Sequence, residues 1–151
     1  MAGLYFEDFI DDQHFKHPIS RTVTETDNLL FTTLSMNTQP LHLDAEFSKN
    51  TMFGQRLCNS VFTLALVVGL PVTELSLGTT LGNLGFENVR FPNPVFIGDT
   101  IRSETVVVSK RESKKHPTAG IVNFIHTGYN QRNEVVAIIG RAGLMMKRPV
   151  A

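Results

Sequence analysis

The chain has 151 residues, 42% of them hydrophobic, with 14 basic and 14 acidic side chains and a formal net charge of zero. That length and apolar content suit a single globular domain over residues 1–151 and exclude a disordered chain. The balanced charge argues against a nucleic-acid footprint or attachment to an anionic membrane.

The opening stretch, MAGLYFEDFIDDQHF, carries acids where a secretory leader carries bases. The longest apolar run, VFTLALVVGL, is too short to span a bilayer. Cys58 is the one cysteine, so no intrachain disulfide can form, and a reducing, cytoplasmic location is expected. Its neighbours Leu57 and Val61 suggest a small core residue rather than a nucleophile.

The β-prone run HPISRTVT comes first. Thr24 or Thr26 then offers an N-cap that Asp27 completes, and Leu29, Leu30, Thr33 and Leu34 follow at helical spacing, predicting a helix over 26–35. Pro40 is expected to interrupt any continuation. DAEFSKN reads as a second short helix capped by Asp44. Ser60 opens a segment apolar on every face, which predicts a buried helix ended by Gly69 and Pro71.

From Thr79 the period becomes that of strands: LGFENVRF, the punctuated turn FPNPVFIGDT, then TIRSETVVVSKRES, AGIVNFIHTGYN and EVVAIIGRAGLMMKR. Asn130 to Asn133 is a hairpin turn. Helices followed by at least four antiparallel strands predict an α+β domain, with a sheet curled around the apolar helix.

Two stretches carry a resemblance. Phe31 through Ser60, which includes QPLHLD, a Phe-Gly turn and a helix start, is similar to the MaoC-like hydratase/dehydratase family, which includes (R)-specific enoyl-CoA hydratases. RFPNPVFIGDTI resembles the family's turn into its long strands. The style of RTVTETDNLLFTTLSMNTQPLHLDAEFS and CNS resembles the branch of mesaconyl-CoA hydratases and β-methylmalyl-CoA dehydratases. The resemblance implies a hot-dog fold, an antiparallel sheet wrapped around a long buried central helix. It implies an acyl-CoA substrate, no further cofactor, and pairing with a second copy into a homodimer or higher homo-oligomer. The family pattern has Asp five positions before the catalytic His, Asn before the Pro, and His-Gly opening the buried helix. Here those positions hold Asn37, Gln39, Asn59 and Ser60.

Adding water to an α,β-unsaturated thioester needs a base for water, an acid for the α-carbon and a donor for the thioester oxygen. Histidine is the side chain whose unperturbed pKa lies nearest neutrality, and His42 matches the family's catalytic His. Asn37 cannot act as a base; it either positions the water or simply closes a loop. The Ser60 amide, at a helix N-terminus, is expected to serve the oxyanion. Gln39, Asn59, Arg56 and Arg90 are assigned to the substrate, the two arginines as partners for a second carboxylate of a branched C4–C5 acyl group. Asp44 reads as a cap rather than an acid. The basic clusters Lys110-Arg111, Lys114-Lys115 and Lys147-Arg148 are either solvated or attract the phosphates of coenzyme A. No metal site is expected from the spacing of the histidines. An acyl-CoA-binding accessory subunit and a thioesterase are the alternatives to a hydratase.

Overall fold

The computed structural model describes residues 3–149. Five strands form one sheet: β1 (His14–Thr22), β2 (Thr80–Arg90), β3 (Thr100–Glu112), β4 (Ala119–Tyr129) and β5 (Val135–Met146). Their order is β1-β3-β4-β5-β2, and every neighbouring pair is antiparallel. Between β1 and β2 run α1 (Glu25–Leu34), α2 (Pro40–Leu43), α3 (Ala45–Lys49), α4 (Ser60–Gly69) and α5 (Val72–Leu75). The α+β reading and the strand periodicity hold.

Local chemistry explains the element starts. Thr24 Oγ1 accepts the Asp27 amide at 3.2 Å and Asp27 accepts the Thr24 amide at 2.8 Å, the reciprocal box expected for α1. Asp44 accepts the Phe47 amide at 2.9 Å and caps α3, so it is a cap and not an acid in waiting. The break expected at Pro40 holds, since α1 ends at Leu34 and does not continue through it. Pro40 occupies the first turn of α2, where its missing N–H costs nothing, and opens a new short helix. The β4–β5 turn closes as read, with Asn133 at φ 61° and Asn130 Oδ1 accepting the Arg132 and Glu134 amides.

Residues Ile101, Ser103, Thr105 and Val107 of β3 alternate inward with burial, and α4 lies across this inner face. A β-carbon built on Gly128 would sit 2.4 Å from Val67 Cγ2, so glycine is what lets the helix approach the sheet. One core gathers Val23, Val67, Leu70, Ile101, Val136 and Ile139; a second gathers Phe6, Phe9, Leu75, Val107, Phe124 and Met145.

The expectation of a helix buried on every side needs correction. Within α4 only Thr63 and Val67 are buried, and Val61 is 56% exposed. A single sheet curls around one side of the helix and leaves the opposite face open. Leu81, Leu84 and Phe86 on the edge strand β2 are exposed as well. None of the described helices is long and apolar enough to cross a membrane.

Inside the sheet a polar line crosses the strands. The Glu74 carboxylate meets His17 Nδ1, His17 Nε2 lies 2.8 Å from Thr105 Oγ1, and Thr105 Oγ1 lies 2.8 Å from His126 Nδ1. His126 is fully buried, and its Nε2 has no partner among the described residues. Burial, followed by the charge of Arg141, pushes its pKa down to about 3.

Candidate active site

After α1 the chain turns through Met36 at φ 56°. The Asn37 amide donates to the Thr32 carbonyl at 3.0 Å, and Asn37 Oδ1 accepts the Gln39 amide at 3.1 Å. This small side-chain-to-backbone turn delivers Pro40 to the start of α2 and sets His42 in its third position. The half-buried His42 ring points Nδ1 at the Leu57 carbonyl oxygen, 2.8 Å away. A carbonyl only accepts, so Nδ1 carries the proton and Nε2 keeps a lone pair in the neutral ring. That is the state a general base requires.

The second strand of the site is Leu57 to Ser60. The Leu57 amide donates to Leu41, the Cys58 amide to Val95 and the Asn59 amide to the side chain of Asn28, at 3.1, 2.8 and 2.9 Å. Asn59 is buried, and its Oδ1 accepts the Val61 amide at 3.0 Å, which caps α4. Ser60 is the first residue of α4 and is exposed; its amide has no hydrogen-bond partner among the described residues. Open amides at a helix start, with the dipole behind them, favour developing negative charge.

Ser60 also borders a cleft of about 340 Å³ walled by Met52, Phe53, Leu57, Cys58, Thr63, Phe91, Pro92, Asn93, Pro94, Val95 and Val136. The wall carries no charged side chain. His42 is not on it, but its partner Leu57 is. Burial drives the Cys58 thiol up to about 11, so it stays protonated near neutrality, as a core residue would.

The structure thus joins His42, Asn59 and Ser60 into one locality. Asn37 and Gln39 bond to each other, and no hydrogen bond links Asn37 to His42 among the described residues. Arg56 pairs with Glu25 at 2.7 Å and borders a different cleft with Lys49 and Gln55. Arg90 is exposed at the end of β2 and is not on the wall, although its neighbour Phe91 is. Sequence reasoning missed Asn28, which is 1% exposed and links the two strands of the site. A polar, poorly helix-forming residue inside an apolar-periodic helix was the available signal. No group of three or more His, Cys, Asp or Glu among the described residues could hold a metal ion.

Residues 9–130 match the family described as the MaoC like domain. The chain belongs to the MaoC-like family. Over 118 residues this MaoC-like domain is 30% identical to the (R)-specific enoyl-CoA hydratase of Rhodospirillum rubrum, covering 76% of each chain. It is 30% identical over 150 residues to the mesaconyl-CoA hydratase of Cereibacter sphaeroides, covering 99% of this chain but 43% of that one. The MaoC-like domain therefore spans less than half the length of that curated relative. A Mycobacterium tuberculosis protein with a double hot-dog fold superposes at TM-score 0.87 and 21% identity, over 99% of this chain and 46% of that one. The hot-dog fold expected from the sequence is the fold of this MaoC-like domain.

Proposed function

We propose that the chain is a hydratase/dehydratase of α,β-unsaturated acyl-CoA thioesters, with His42 as base and acid and the Ser60 amide as oxyanion donor. The observation that carries this reading is the His42–Leu57 hydrogen bond, which leaves Nε2 unprotonated beside the segment that ends in the open Ser60 amide. In the hydration direction Nε2 takes a proton from water as the hydroxide attacks the β-carbon. The electron pair of the double bond moves toward the thioester oxygen, where the Ser60 amide stabilises it. The imidazolium then returns the proton to the α-carbon, and ring and water balance. The names of the relatives support the reaction class.

The acyl group is the finer part of the proposal. The expected partners for a second carboxylate, Arg56 and Arg90, are absent from the cleft wall, and Arg56 is taken by Glu25. An uncharged wall favours a short neutral acyl group over a branched dicarboxylic one, because an unpaired carboxylate there would lose hydration without compensation. The exposed apolar residues of α4 and β2 support pairing with a second copy, edge to edge through β2. A cytoplasmic location completes the reading.

A non-catalytic acyl-CoA-binding role draws on one observation: Asn37 closes a turn by accepting the Gln39 amide, and no hydrogen bond joins it to His42 among the described residues. Loss of enoyl-thioester absorbance on mixing purified protein with crotonyl-CoA and mesaconyl-CoA decides between them. Faster loss with crotonyl-CoA is expected. Binding of both without any loss would leave the accessory role.

A further inference from the structure

The base and the oxyanion donor sit on separate pieces of chain, His42 on α2 and Ser60 at the start of α4. Something must fix the distance between them. Leu57 ties the His42 ring to the second piece through one bond to its carbonyl. A second joins the Leu57 amide to the Leu41 carbonyl at 3.1 Å, and a third runs through Asn28 on α1, buried to 1% exposure. Its Nδ2 donates to the His42 carbonyl at 3.0 Å and lies 3.5 Å from the Leu57 carbonyl, while its Oδ1 accepts the Asn59 amide at 2.9 Å. Both ends of one amide are therefore spent on the two pieces that carry the chemistry.

We propose that Asn28 is a positioning residue, holding the Leu57 carbonyl where it selects the Nδ1–H form of His42 and holding the Ser60 amide at a fixed distance from Nε2. The inference rests on the hydratase reading for its catalytic meaning, though not for its structural content. Its logic is donor and acceptor counting. Only a side chain that donates at one end and accepts at the other satisfies two carbonyls and an amide. A hydrophobic isostere satisfies neither. An ionised aspartate serves the Asn59 amide but faces the His42 and Leu57 carbonyls with lone pairs. A protonated aspartic acid restores the donor.

Protein labelled with ¹⁵N-histidine reports the tautomer of each ring, and His42→Asn assigns the signal. The native chain is expected to show His42 as the Nδ1–H form. Asn28→Leu should shift it toward a mixture of both tautomers, with a cooperative melt retained. In Asn28→Asp, read at about pH 8 where an imidazole is neutral and the introduced carboxyl is ionised, the native tautomer should be lost, with a parallel fall in turnover and a smaller change in KM. Asn28→Ser, which keeps one donor, should recover part of the native signal. If His42 keeps a pure Nδ1–H form in folded Asn28→Leu and in Asn28→Asp at about pH 8, the proposal is overturned. Where Asn28→Leu does not fold, Asn28→Asp decides alone. A tautomer response in a protein inactive on every enoyl-CoA would sink the hydratase reading and leave the positioning role standing.

Discussion

A histidine two residues beyond a proline turn is an unremarkable thing in a sequence, and what distinguishes His42 is a single carbonyl. Leu57 fixes which nitrogen of the neutral ring holds the proton, and under the proposed function Nε2 is then the atom that takes one from water. His42→Ala should lower turnover on an enoyl-CoA by about 10²- to 10⁴-fold. Because the ring is half-buried and makes one hydrogen bond of its own, the melting temperature should fall little. A calorimetric scan beside the rate assay checks both. A large loss of stability with unchanged activity per folded molecule would make His42 a structural residue.

At the scale of elements, the start of α4 allows an unusually clean deletion. Ser60 is its first helical residue, a position where proline is well accepted. Asn59 before it has φ −59° and ψ 124°, the extended conformation that a following proline demands. Ser60→Pro should therefore keep the helix and the Asn59 cap while removing the amide hydrogen. Turnover should drop by about 10²- to 10³-fold with little change in far-ultraviolet circular dichroism. Unchanged turnover would move the oxyanion donor elsewhere. This start was legible in the sequence because a cap is local: Asn59 serves an amide two residues away, as Thr24 and Asp44 serve amides three residues away. Pro40 was legible for an equally local reason: it bars any continuation of α1 and suits the first turn of the helix it opens. What Asn28 and Arg56 bond to was illegible for a different reason. Their partners lie 14 to 31 residues away, and only the folded chain brings Asn28 to His42 and Asn59, or Arg56 to Glu25.

At the scale of the whole molecule, His126 couples the fold to pH. Its folded pKa, about 3, lies below the ordinary histidine value, so between those limits the unfolded chain holds a proton that the folded chain refuses. The stability tied to neutral His126 is complete above about pH 6.5 and declines as pH falls toward 3. At pH 4.5 the cost is on the order of 3 kcal/mol, about two pH units at roughly 1.4 kcal/mol each. Chemical denaturation at pH 7 and 4.5 should show a smaller acid loss in His126→Leu than in the native chain. Equal losses would place the acid sensitivity in other groups.

The uncovered flank of α4, with Val61 at its outer end, also changes how abundance should matter to this protein. A chain that completes its core only against a second copy has no fixed melting point; its stability rises with the logarithm of how much of it is present. Between 1 and 100 µM the transition should move upward by several degrees, and a sedimentation run over that range should show mass doubling alongside it. A melt that ignores dilution would mean that the flank stays wet. Under the proposed pairing, the first copies made in a cell are the vulnerable ones, exposing an apolar surface that invites aggregation and proteolysis until partners accumulate. Synthesis in bursts would then protect the protein better than the same output delivered slowly.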